Sequence, residues 1–256
     1  MKLGVSYNIF DGEELLRGSI KQIRDKVDYI SVVYQKISNF GNPCSPGLEL
    51  MLKNLKSIGL IDEIFLYMPN LNGGGHFNEI RKRNIGLQLS KKNNCTHHMS
   101  MDSDEYYLTS EFESMKNQII EHGYDSSYCQ MITYYKNWEY RLDPFEDYYV
   151  SLIYKIDENS IYSFNSQSPV MVDPTRRMFG IKNPIIFTRD QLQMHHGSYI
   201  RNNIERKLKN SSSKNQNWDI NKIKKHFNSF SDGDKALMFK PFEEYVDLIK
   251  VKNPFG

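Results

Sequence analysis

The chain has 256 residues, with 33 Lys and Arg against 31 Asp and Glu, a formal net charge of +2, and 39% hydrophobic residues. That length and balance suit one folded unit with a substantial core, and the small net charge argues against bulk nucleic-acid binding, although the C-terminal third is visibly basic. There is no run of about 18 apolar residues, the first residues (MKLGVSYNIFDGEE) turn acidic where a secretory signal would stay apolar, and the scattered Cys44, Cys95 and Cys129 suit neither a zinc site nor a disulfide framework. The expectation is a cytoplasmic protein without a membrane span.

KLGVSYNI alternates and is rich in β-formers, which predicts a first strand ending near Asn8. In DGEELLRGSIKQIRDKV the residues Leu15, Leu16, Ile20, Ile23 and Val27 recur at helical spacing, and a second strand, YISVVYQ, follows at once. A polar loop containing NPCSPG leads to a helix over 48–58 and a third strand over 61–67. After the flexible PNLNGGGHF comes a helix from about Asn78 to Lys91, with Ile80, Ile85, Leu87 and Leu89 as its apolar positions, and then a fourth strand, THHMSM. Strands alternating with helices of this length predict an α/β fold with a mostly parallel sheet, helices on both faces and right-handed crossovers. Beyond it, a capped helix starts at Thr109 or Ser110, and two longer strands, SSYCQMITYYK and DYYVSLIYKI, flank the loop NWEYRLDPFE. A short strand and a loop lead into a basic helix from about Ile200, and the tail from Trp218 reads as a helix plus an irregular end with two prolines.

In such a sheet ligands sit at the carboxyl ends of the strands, where Asp102, Ser103 and Asp104 fall. Two carboxylates two residues apart on an extended chain share a side, and hard oxygen ligands of this kind suit Mg2+ or Mn2+; the same residues also suit a solvated acidic turn before a helix. About 20 residues upstream, Arg81 and Asn84 stand three apart on a helix that opens after a Gly-rich loop, which predicts a shared face with donors aimed at the acids. Either His195 or His196, beside Gly197 and Arg201 in QMHHGSYIR, suits a third metal ligand in a loop facing phosphate, whereas His97 and His98 lie inside a strand and read as structural. Among the acids of WEYRLDPFEDYY, Asp147, or Glu146 beside it, opens a strand, a rigid mount for a general base; Glu139 and Asp143 are weaker candidates. Arg176 and Arg177 suit a phosphate, an anionic acceptor or a plain surface turn. The basic run Arg201, Arg206, Lys207 and Lys209 suits diphosphate at its start, anionic lipid along an exposed face, or solvent.

The order VSYNIFDGEELL, RKRNIGL, HHMSMDSDEYY and MHHGSYIR resembles the nucleotide-sugar-dependent glycosyltransferases of the GT-A fold, in particular small bacterial and viral family-2-like members, over about residues 3–210. The resemblance implies a Rossmann-like domain in which Asp102 and Asp104 hold Mn2+ or Mg2+ against the diphosphate of a UDP-, GDP- or dTDP-sugar. It further implies that Ser6 to Asn8 and the region of Tyr34 and Gln35 border the nucleoside. Ser103 departs from the commoner middle residues of that acid motif, and no Gln-x-x-Arg-Trp motif of the processive synthases is present, which implies transfer of a single sugar. The implied reaction moves that sugar, with inversion, to a hydroxyl of a glycan or lipid-linked acceptor, with peripheral membrane contact left open. The chain then divides into a glycosyltransferase domain over 1–215, with a nucleotide-binding half of about 1–108 and an acceptor half of about 109–215, and a small helical C-terminal extension over 216–256. Two rivals stand beside this reading. A nucleotidyltransferase of related fold would carry a Gly-rich loop with a basic residue after the first strand, which YNIFDGEELL lacks; a non-catalytic nucleotide-sugar-binding module would not need Asp102 and Asp104.

Overall fold

Leu3–Ile9 forms β1, and all seven of its residues are buried, as expected of a strand covered on both faces. The computed structural model describes residues 1–211, 218–239 and 244–256. β1 pairs in parallel with β2 (Tyr29–Tyr34) on one side and with β4 (His97–Asp102) on the other, and β2 pairs in parallel with β3 (Glu63–Leu66). The crossovers carry α1 (Glu13–Ile23), α2 (Leu48–Ser57) and α3 (Gly75–Lys92). α1 turns Leu15, Leu16, Ile20 and Ile23 inward, the stripe that its spacing predicts. α3 lies so close to β1 at Gly86 that an added Cβ would stand 2.1 Å from Ser6 Oγ.

The second half turns antiparallel. After β5 (Glu105–Tyr106) and α4 (Thr109–His122), the strands β6 (Ser126–Tyr135), β7 (Tyr140–Asp143) and β8 (Tyr149–Lys155) follow one another without helices, and hairpin-length links join strands antiparallel. β8 pairs antiparallel with β4 and β6 antiparallel with β8, while β9 (Pro184–Ile186) and β10 (Gln193–Tyr199) return parallel to β6. A main hydrophobic core, including Val5, Ile20, Val32, Leu52, Met99, Phe112 and Leu152, underlies the parallel half.

The tail departs from the helical extension expected over 216–256. α5 (Ile204–Asn210) and α6 (Ile220–Ser229) are followed by β11 (Ala236–Met238) and β12 (Glu244–Lys250), an antiparallel pair in which β12 extends the sheet along β7. The reason is legible in EYVDLIK: Val246 and Leu248, two apart, pack on a second core made with Tyr135, Tyr199, Leu208 and Phe227. Of the two prolines, Pro241 lies outside the described residues. Among the described residues no helix is long and apolar enough to cross a membrane.

Candidate active site

A cleft of about 950 Å3 opens at the carboxyl ends of β1 and β4, the position expected for a ligand in such a sheet. β1 brings Asn8 into register with Asp102 on β4. Asn8 is 5% exposed, it lines the cleft, and neither atom of its amide has a hydrogen-bond partner among the described residues. A buried amide with both ends unsatisfied costs stability unless something else bonds to it.

The acid turn is fixed from two directions. Short β5 pairs antiparallel with β10, matching Glu105 with His196, and the Gly197 amide donates to the Asp104 carbonyl at 2.7 Å. From the other side the loop after β1 packs on it: Ser103 Oγ donates to the Asp11 carbonyl at 3.2 Å. Gly12 there has φ of 75°, and an added Cβ would lie 2.9 Å from Ser103 Oγ and 3.1 Å from Arg201 Cζ. A side chain there would be strained in the backbone and crowd both neighbours.

Both carboxylates carry basic partners. Asp102 accepts from Arg83 Nη2 at 3.2 Å and from Arg176 Nη2 at 2.8 Å, and Asp104 Oδ2 accepts from Arg201 and, at 3.1 Å, from Lys207. Arg83 is further held by Ser100 Oγ at 2.8 Å and Thr175 Oγ1 at 3.1 Å, and Arg176 also bonds Glu105. Burial pushes the Asp102 carboxyl up, but the Arg83 and Arg176 guanidinium groups outweigh it and hold the group well below the usual carboxylate range. Asp104 is the more deeply buried of the two, which pushes it up, but Lys207, Arg201 and the nearby His196 hold it far down. Glu105 goes the other way. Burial, and to a lesser degree the Asp102 charge, push it up to about 7 against the pull of Arg176.

Of the residues singled out in the sequence, Asn8, Asp102, Ser103, Asp104, Glu146, Asp147, His196 and Arg201 all line this one cleft. His196 Nε2 lies 3.9 Å from Asp104 Oδ2. His195, its neighbour on the strand, necessarily faces the other side; it is packed against Phe255 and Tyr134, whose hydroxyl is 2.9 Å from Nδ1, and burial lowers it to about 4. The expectation that either histidine stands beside the acids is therefore narrowed to His196.

Four other expected positions lie elsewhere. Ser6 is covered by α3 at Gly86, and Gln35 bonds the Ile37 carbonyl and the Asn39 side chain, both at 3.1 Å, shaping its own loop. Arg81 is exposed, with Cζ 5.1 Å from the Phe77 ring centroid, and Asn84 exchanges hydrogen bonds with the Tyr162 backbone at 3.0 and 2.9 Å. The face of α3 that meets the cleft instead carries His76, Glu79, Lys82 and Arg83. Arg83 is the residue that sequence reasoning missed. Its signal was its place three after Ile80 and four before Leu87, on the buried stripe of the helix, where an arginine requires an acid partner.

Asp147 is exposed, lines the cleft two residues before β8, and accepts from Gln130 Nε2 at 3.3 Å. Glu146 is half-buried beside it, and its carbonyl accepts from Arg189 Nη2 at 2.8 Å. Of the basic helix, Arg206 Nη1 pairs with Glu13 at 3.0 Å and Lys209 with Glu205 at 2.6 Å, so these two charges are tied within the chain.

The donor set does not match the divalent ion that the resemblance implies. Asp104 is covered by two cations, Asp102 by two more, and among the described residues no group of three or more His, Cys, Asp or Glu side chains is placed to hold a metal.

No protein-family model matches the chain, and no curated protein does. Among solved structures it is similar to TarS of S. aureus, with a TM-score of 0.48 and 13% identity over 77% of this chain and 37% of that one. It is also similar to GalNAc-T7 crystallised with UDP, GalNAc and Mn2+, with a TM-score of 0.44 and 10% identity over 77% of this chain and 44% of that one. A TarS 1-349 structure in complex with UDP-GlcNAc matches at 20% identity and a TM-score of 0.37 over 52% of this chain and 35% of that one. The chain thus spans less than half the length of each of these three, and likeness at this level transfers no residue role.

Proposed function

We propose that the chain is a GT-A-type glycosyltransferase that moves one sugar from a nucleoside-diphosphate sugar to a hydroxyl of a glycan or lipid-linked acceptor. The observation that carries this reading is the cleft at the carboxyl ends of β1 and β4, where the unsatisfied amide of Asn8 stands in register with the acid turn and its basic partners. Such a surface offers hydrogen bonds to a ribose or base and positive charge to a pyrophosphate.

Glu146 and Asp147, which also line the cleft, support the acceptor side of the reaction. With a sugar nucleotide in the cleft, Asp147, or Glu146 next to it, takes the proton of the acceptor hydroxyl as its oxygen attacks the anomeric carbon. The bond from that carbon to the diphosphate oxygen breaks, and the nucleoside diphosphate leaves with the electron pair, its charge met by the basic side chains. Attack on the side of the anomeric carbon away from the departing diphosphate inverts the configuration there.

Incubating the protein with UDP-, GDP- and dTDP-sugars and candidate acceptors, and measuring release of nucleoside diphosphate together with glycosylated product, tests the proposal. Acceptor-dependent release from one donor is expected and should vanish in Asp147→Asn or Glu146→Gln. Tight binding of a sugar nucleotide with no transfer to any acceptor would favour a binding module, and formation of a nucleotide sugar from sugar phosphate and nucleoside triphosphate would favour a nucleotidyltransferase.

A further inference from the structure

Asp102, Asp104 and Glu105 are in contact with four basic groups, Arg83, Arg176, Arg201 and Lys207. The four differ in how they are held. Side-chain exposure is 1% for Arg83, 5% for Arg176 and 3% for Arg201, but 16% for Lys207. Arg201 Nη1 is fixed by the carbonyls of Gly197 and Ile200, both at 3.2 Å, whereas Lys207 has a flexible stem and enters the cleft as a compact point charge. Asp104, at 6% side-chain exposure, lies beneath it.

We infer that this cleft binds the pyrophosphate of its nucleotide through these basic side chains, with Lys207 as the principal contact, and without a divalent ion on Asp102 and Asp104. The inference rests on the reading of the cleft as a nucleoside-diphosphate site and concerns how that site handles charge. A divalent ion on the Asp104 oxygen that Arg201 and Lys207 share would have to displace both, against four positive charges already present. A pyrophosphate needs neither acid: it meets Lys207, the most exposed of the four cations, and exchanges only that outermost partner of Asp104. On this account the acids serve to hold the basic groups in place.

Titration calorimetry with UDP, GDP and dTDP decides the matter, run on the whole chain after chelation with EDTA and again with Mn2+ or Mg2+ added. One nucleotide should bind with the same affinity, within about twofold, in both conditions, and Lys207→Met should weaken it by about tenfold in both. Lys207→Arg should restore most of that loss, and native-like circular dichroism with a cooperative melt, even at a lowered Tm, should show that the variants remain folded. If a nucleotide binds only when metal is present, the inference is overturned while the glycosyltransferase reading stands. If metal has no effect but Lys207→Met binds as well as the parent, the role of Lys207 is overturned. If none of the three nucleotides binds in either condition, both readings fail.

Discussion

Replacing Arg83 by Met removes a guanidinium that is 1% exposed and joins Asp102 at 3.2 Å, Ser100 Oγ at 2.8 Å and Thr175 Oγ1 at 3.1 Å. The methionine fills much of the same space, so the loss is chiefly one of charge and hydrogen bonds. Breaking a buried ion pair by removing one partner costs about 3–5 kcal/mol. Asp102 keeps Arg176 at 2.8 Å and is 36% exposed, so water and the second arginine compensate in part and the lower end, about 3 kcal/mol, applies. In a chain of this size that corresponds to a fall in Tm of about 6–12 °C. Urea unfolding followed by circular dichroism measures it, and a cycle with Asp102→Asn isolates the pair. Because Asp102→Asn removes the charge that Arg83 compensates, the double variant should lose less than the sum of the single ones, with a coupling of about 1–3 kcal/mol. A loss below about 1 kcal/mol, or additivity within about 0.5 kcal/mol, would refute the argument that Arg83 and Asp102 hold each other.

Gly86→Ala places a methyl group 2.1 Å from Ser6 Oγ and should destabilise the protein by about 1–3 kcal/mol, with much of the loss recovered in Ser6→Gly/Gly86→Ala; calorimetric melting of the single and double variants checks this. Asn8→Ala removes a buried amide with no partner among the described residues, so thermal stability should hold or rise while nucleotide affinity falls by about tenfold. Glu105 is pushed up to about 7 from its ordinary 4.5, so between these values the folded chain binds more proton there than the unfolded chain does. The stability this group contributes is complete below 4.5 and is lost as pH rises to about 7, and unfolding curves across that window should show a decline that Glu105→Gln flattens.

The parallel half of the sheet and the position of the acid turn were legible because both rest on local periodicity. Alternation ends at Asn8 and at Asp102, and inward-facing Leu16 and Ile20 recur at helical spacing between strands. What failed was the choice of facing residues within an element already located. RKRN offers three basic residues in a row, and helical spacing alone puts Arg81 and Asn84 on a shared face, whereas the buried stripe through Ile80 and Leu87 runs through Arg83. His195 and His196 sit on a strand in which residues of both faces are covered, so burial alone does not tell which of the two meets Asp104. Ser6 lies on β1 and Gln35 just past the end of β2, but the close approach of Gly86 and the fold of the loop after β2 are long-range facts that no short window contains. The hairpin in the tail is the exception, since the period of EYVDLIK was there to be read and lost out to the helical pattern just before it.

A crystal structure of the protein grown with the nucleoside diphosphate that binds it best, without added metal, would test the central claim most directly. The account predicts nucleotide density in the cleft between Asn8 and the acid turn, with the Asn8 amide bonded to the ribose or base and the pyrophosphate against Lys207. A nucleotide bound elsewhere, or one in the cleft with Asn8 still unpaired and its phosphates turned away from the basic residues, would contradict it.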